Sequence, residues 1–183
     1  MTTAVKICGM TDEASLDAAL ACGVDYIGLV FFPKSPRHLE LARAKTLRAM
    51  VPMSGTCKAV ALVVDPSDEQ LAEVISSVDP DVIQLHGHGT VERVAEIRAK
   101  FGKPIWKAVP VASAADVEAA RAHLAPGRLA DILLFDAKPD PKAPLPGGNG
   151  LAFDWHILQG LKVRPAFALA GGLTPENVAE AIE

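Results

Sequence analysis

Seven short apolar runs alternate with seven amphipathic stretches along this 183-residue chain. Such strict alternation calls for a parallel sheet covered by helices, because each parallel connection must return through an element of its own. The first run is Val5-Lys6-Ile7-Cys8, which turns at Gly9. A helix starting at Thr11 or Asp12 is predicted to run to Cys22, and Gly23 stands where helices commonly stop. The second run covers 25–32, and a Pro-containing loop leads to a helix over 40–50. The third run covers 58–64. Pro66 is then placed just inside a helix whose apolar stripe is Leu71, Val74 and Ile75. Runs at 82–85, 105–109 and 132–135 are followed by helices over 91–100 and 114–124 and by a short helical stretch over 153–159. The seventh run covers 166–170, with a helix opening at Thr174-Pro175.

Two architectures use this pattern, an open doubly wound sheet and a (β/α)8 barrel. The barrel usually needs about 250 residues. Seven units are one short of closure, and the last helix reaches Glu183 without a stop signal. A single domain over 1–183 is expected, incomplete at its C-terminus, with an eighth strand–helix unit missing.

Composition narrows the function classes. Half the residues are apolar and 22% are charged, as in ordinary globular domains. A net charge of −4 disfavours a broad nucleic-acid surface. No apolar run approaches the ~20 residues that span a bilayer, and the N-terminus lacks a signal-peptide layout. Cys8, Cys22 and Cys57 are an odd number at wide spacing, which fits neither a disulfide framework nor a zinc ribbon. A cytoplasmic protein without membrane or nucleic-acid partners is expected.

Polar residues inside apolar strands are informative, because both faces of a covered parallel sheet are normally apolar. Lys6 and Cys8 share one strand face, as do Gln84 and His86. Lys107 interrupts the fifth run, and Asp136 follows Phe135 at the end of the sixth. If these faces look into one barrel, Cys8, His86 and Asp136 stand at strand C-terminal ends, where barrel active sites lie. Bland readings exist for each. A strand cysteine is often only a small buried side chain, an Asp after a strand is often a cap, and lysines can simply reach a rim. His86 and His88 without a third ligand are weak support for a metal. Convergence of several such residues on one rim favours function.

Gly171-Gly172-Leu173-Thr174-Pro175 joins the seventh run to a helix, with Thr174 as N-cap. Free amides there would suit a phosphate. A long loop from Lys138 to Gly150, rich in Pro and Gly, lies beside Asp136 and suits a lid or binding loop. Arg37 follows the second run, where a guanidinium can grip a carboxylate in a bidentate fork.

Six segments in register make the pattern specific. Lys6-Ile7-Cys8-Gly9-Met10-Thr11 resembles the N-terminal signature of the phosphoribosylanthranilate isomerase family. The likeness continues through Phe31-Phe32-Pro33-Lys34-Ser35-Pro36-Arg37, Val82-Ile83-Gln84-Leu85-His86-Gly87 and Phe135-Asp136-Ala137-Lys138. Gly147-Gly148-Asn149-Gly150 and Leu169-Ala170-Gly171-Gly172-Leu173 complete it. Asn149 stands where the family often has Thr or Ser, and little effect is expected from it.

The resemblance implies a (β/α)8 TIM barrel and an Amadori rearrangement in tryptophan biosynthesis, without cofactor or metal. N-(5'-phosphoribosyl)anthranilate becomes 1-(o-carboxyphenylamino)-1-deoxyribulose 5-phosphate. It implies Asp136 as general acid, Cys8 as general base, Arg37 on the anthranilate carboxylate, and Gly171-Gly172 as half of a phosphate site. The other half belongs to the eighth unit. Lys6, Gln84 and His86 are further candidate substrate contacts. Lys6 shares the Cys8 face and is expected to tune the thiol, since a neighbouring cation favours a thiolate. A carboxyl group donates a proton near neutral pH when burial raises its pKa. A monomer or homodimer acting on a small molecule is expected. Two rival readings remain: another sugar-phosphate barrel, such as a metal-using pentose-phosphate epimerase, and a silent sugar-phosphate-binding incomplete barrel.

Overall fold

A computed structural model describes residues 3–52, 55–124, 130–140, 142, 143, 145, 147, 150–160 and 167–182. Strands β1 (Lys6–Cys8), β2 (Tyr26–Phe31), β3 (Lys58–Val64), β4 (Val82–His86), β5 (Ile105–Val111), β6 (Ile132–Ala137) and β7 (Phe167–Leu169) follow the expected alternation. The helices are α1 (Glu13–Ala21), α2 (Leu41–Met50), α3 (Asp68–Val78), α4 (Val91–Phe101), α5 (Ala114–Ala120) and α6 (Val178–Ile182). 3₁₀ turns cover Arg121–Leu124 and Trp155–Gly160. Ala166 of the expected seventh run, Glu183, and the loop residues Pro141, Pro144, Pro146, Gly148 and Asn149 lie outside the described residues.

The capping chemistry explains most boundaries. Asp12 caps α1 by accepting the Ser15 amide, and Gly23 follows its end at φ +72°. Pro66 stands outside α3 rather than inside it. Ser67 is the N-cap there, in a reciprocal capping box with Gln70. The predicted helix over 114–124 tightens into a 3₁₀ turn for its last residues.

The chain divides into two compact units, Met1–Leu85 with Phe101–Pro104, and His86–Lys100 with Ile105–Glu183. Within each, strand order follows chain order. In the first unit β1, β2 and β3 pair in parallel, with Cys8 beside Gly28 and Gly28 beside Val60. One sheet face carries Ile27, Leu29 and Ala59 against Leu16 and Ala19 of α1 and Ala44 and Leu47 of α2. Burying each large member contributes roughly 1.5–3 kcal/mol. The other face carries Lys6, Cys8, Gly28 and Val60, by the alternation of strand side chains. In the second unit β5, β6 and β7 pair in parallel. Leu133 and Phe135 pack against Val117 and Ala120 of α5 and against Leu158. Asp136 points to the opposite face.

An aspartate recurs at the start of alternate strands. Asp25, Asp81 and Asp131 each precede a strand, β2, β4 and β6. Each accepts one backbone amide at 2.8 Å, from Val5, Ala59 and Ile105 respectively. Each also returns its own amide to the carbonyl of that same residue. These clasps occupy the end of the strands opposite Cys8 and Asp136, the end associated with stability in such folds. Asp131 is the most heavily bonded, since Arg98 grips it at 2.7 and 3.1 Å. Asp131→Ala should cost about 2 kcal/mol by stranding the Ile105 amide, lowering Tm by about 4–8 °C. A thermal melt within about 1 °C of the parent would contradict the clasp's role.

Candidate active site

In the first unit, β1 ends at the half-buried Cys8. Gly9 follows at φ +87°, a conformation that a side chain would strain. The amides of Gly9 and Met10 both donate to the Gly28 carbonyl, at 2.8 and 3.0 Å. This keeps the turn tied to β2 while the chain leaves for α1. Arg43 of α2 secures the far side, donating to the Thr11 carbonyl and pairing with Glu13. The Arg43 guanidinium holds the Glu13 carboxyl below its ordinary value.

Arg37 lies on the loop after β2. Its amide donates to Ser35 Oγ at 3.2 Å, and its Nη1 donates to the Cys8 carbonyl at 3.1 Å. A Cβ built at Gly9 would fall 2.5 Å from Arg37 Cδ and 2.8 Å from its Nη1. Arg37 therefore rests directly on the glycine backbone, and Gly9 is needed for clearance as well as for its φ. Lys6, Cys8 and Arg37 are brought together as the sequence suggests. Gln84, on β4, is only 2% exposed.

In the second unit, Asp136 is the penultimate residue of β6 and 8% exposed. The Ala137 amide donates to its Oδ1 at 2.9 Å. Two glycines bracket the carboxyl group. A Cβ at Gly147 would fall 2.6 Å from Oδ2, and one at Gly171 would fall 2.7 Å from Oδ1. The same Gly147 position lies 3.2 Å from His86 Cε1 and 3.3 Å from its Nδ1, so His86 and Asp136 flank one point. The chain leaving β6 is held by Lys138, whose Nζ donates to Asp116 at 3.3 Å. Backbone donation from Ala112, then burial working against it, leaves the Asp116 carboxyl below its ordinary value.

The Gly171-Gly172 turn has φ of +85° and +64°, so both positions favour glycine. Thr174 stands at the cap position as expected, its carbonyl accepting the Asn177 and Val178 amides at 3.2 and 3.0 Å. Asn177 Oδ1 accepts the Thr174 amide at 2.7 Å, and its Nδ2 donates to the Gly172 carbonyl at 2.9 Å. The regular helix runs from Val178, one turn after Thr174-Pro175. Lys107 brings its amine to the rim, to the residue that follows β4, from the other strand face. Its register partner is Leu133, on the face opposite Asp136, and its Nζ donates to the Gly87 carbonyl at 2.9 Å. Burial, and then the Lys107 charge, push the His123 imidazole below its ordinary value.

Gly147 belongs to the loop expected beside Asp136, whereas Gly28 and Asn177 were not among the expected site residues. Gly28 carried a signal, a glycine inside a buried strand. Asn177 carried none, being one polar residue near a helix start. Among the described residues no three His, Cys, Asp or Glu side chains stand where they could share a metal ion. No helix among them is long and apolar enough to cross a membrane.

The family model described as N-(5'-phosphoribosyl)anthranilate (PRA) isomerase matches residues 5–183. The N-(5'-phosphoribosyl)anthranilate isomerase of Paracoccus denitrificans is 53% identical over 182 residues, covering 100% of this chain and 82% of that protein. Among solved structures, the phosphoribosyl anthranilate isomerase of Thermotoga maritima matches with TM-score 0.82 and 31% identity, over 99% of this chain and 82% of that one. A phosphoribosyl anthranilate isomerase in complex with reduced 1-(o-carboxyphenylamino)-1-deoxyribulose 5-phosphate matches with TM-score 0.81 and 30% identity, over 99% and 81%. The fold class is accordingly the (β/α)8 barrel. The chain belongs to the N-(5'-phosphoribosyl)anthranilate isomerase family.

Proposed function

We propose that this chain converts N-(5'-phosphoribosyl)anthranilate to 1-(o-carboxyphenylamino)-1-deoxyribulose 5-phosphate, with Asp136 as general acid and Cys8 as general base. The observation that supports this best is the buried Asp136 carboxyl at the end of β6, held between Gly147 and Gly171 in a chain of this family. Asp136 gives its proton to the furanose ring oxygen as the C1–O bond breaks. The anthranilate nitrogen supplies the electron pair, leaving a protonated Schiff base at C1. Cys8 then takes the proton from C2; the C2–H pair forms a C1=C2 bond, and the C1=N pair returns to nitrogen. The resulting enol gives up its C2 hydroxyl proton to become the ketone as C1 gains a proton. Electrons move only within the substrate, so the balance asks for no external oxidant or reductant. Each proton transfer is worth about 10²–10⁴-fold.

Arg37 takes the anthranilate carboxylate, in reach of the Cys8 backbone to which it is tied. The Gly171-Gly172 turn serves one side of the phosphate. Lys6, Gln84 and His86 complete the contacts. The reaction is placed in the cytoplasm, and the working form is a monomer or homodimer. A dimeric phosphoribosylanthranilate isomerase is among the structural neighbours.

Calorimetry with the reduced product analogue tests the reading. The protein should bind it, and Arg37→Ala should weaken binding and raise KM by about 10–100-fold with kcat little changed, the loss of a charged hydrogen-bonded pair. No binding would overturn the reading; unchanged KM in the variant would remove Arg37 as the clamp.

A further inference from the structure

Gly28 lies in the middle of β2, where a residue without a side chain weakens a strand. Its neighbours in that strand, Ile27 and Leu29, are fully buried, so the position is not a sheet edge or a turn. Its φ is not in the left-handed region, so backbone conformation does not demand glycine there. The demand is for space. A Cβ built at Gly28 would fall 2.6 Å from Cys8 Sγ, 3.1 Å from Cys8 Cα and 3.1 Å from Lys6 Nζ. The thiol and the amine therefore both face one bare Cα, within about 6 Å of each other. Gly28 does a second thing from its backbone. Its carbonyl accepts both the Gly9 and Met10 amides, fixing the turn that follows Cys8.

We infer that Gly28 is a positioning residue for the base: its empty Cα face is the seat on which the Cys8 thiol and the Lys6 amine are held together. The inference rests on the reading of Cys8 as general base. A methyl group on this seat displaces Sγ, since the alternative is to move the paired β1 backbone at Cys8 Cα. It also drives the Lys6 head away from the thiol. The proton on C2 is then met at the wrong distance, whereas contacts to the anthranilate carboxylate through Arg37 remain.

Gly28→Ala tests this, with Cys8→Ala assayed beside it. In Gly28→Ala kcat should fall about 10²-fold with KM changed less than about threefold, as for a displaced catalytic group. Alkylation of Cys8 by iodoacetamide near neutral pH, followed by peptide mass mapping, should slow about tenfold in Gly28→Ala and in Lys6→Met alike. A merely structural glycine would not move thiol reactivity in step with an amine deletion. A folded Gly28→Ala with parental kcat and parental Cys8 alkylation would overturn the seat while leaving Cys8 as base, provided Cys8→Ala is inactive. Full turnover in Cys8→Ala would instead overturn the base. If Gly28→Ala fails to fold, the double variant with Cys8→Ala decides. Recovery of a cooperative melt places the clash at the thiol, and no recovery sinks the inference.

Discussion

Asp136→Asn is expected to lower kcat by about 10²–10⁴-fold while the protein stays folded. The amide matches the carboxyl in size, so the space between Gly147 and Gly171 still accommodates it. Its oxygen can still accept the Ala137 amide. What is lost is the proton that the furanose oxygen needs for ring opening. The test is steady-state turnover together with a thermal melt. A folded variant with turnover within about threefold of the parent would remove Asp136 from the acid role.

Cys8→Ala is the second large effect, also about 10²–10⁴-fold in kcat. The side chain is half-buried at a strand end, so its loss leaves little cavity and the melt should stay close to the parental one. The two variants should differ in chemistry. Asp136→Asn retains a thiol that iodoacetamide can reach, whereas Cys8→Ala leaves only Cys22 and Cys57 to modify, of which Cys57 is buried. Burial, chiefly, pushes the Cys57 thiol up, so Cys57 should react slowly. Substantial turnover in Cys8→Ala would transfer the base role elsewhere.

The fold was legible because parallel strands read as short apolar runs and the intervening helices as amphipathic ones. Val82, Ile83 and Leu85 or Leu133, Leu134 and Phe135 announce buried strands without any knowledge of partners. Boundaries were less legible where capping decided them. Ser67 rather than Pro66 opens α3, because a side-chain hydrogen bond to a backbone amide outranks position preference there. The candidate site was legible as polar residues on otherwise apolar strands, namely Lys6, Cys8, Gln84, His86 and Asp136. Lys107 satisfied the same rule and lies on the other face, its stem carrying the amine to the Gly87 carbonyl just past β4. The clasps of Asp25, Asp81 and Asp131 were not legible, because their partners lie 20 to 26 residues away and nothing local marks them. Gly28 showed only as a glycine inside a buried strand, because what it contributes is the absence of an atom, which tells only when the neighbours are in place.

The most direct test is turnover of freshly generated N-(5'-phosphoribosyl)anthranilate, followed by loss of its fluorescence with EDTA present. Consumption well above the uncatalysed rate is expected, with the amino-ketone as product, and that activity should be lost in Cys8→Ala. Folded protein that binds the reduced product analogue yet leaves the fluorescence at its uncatalysed decay would contradict it.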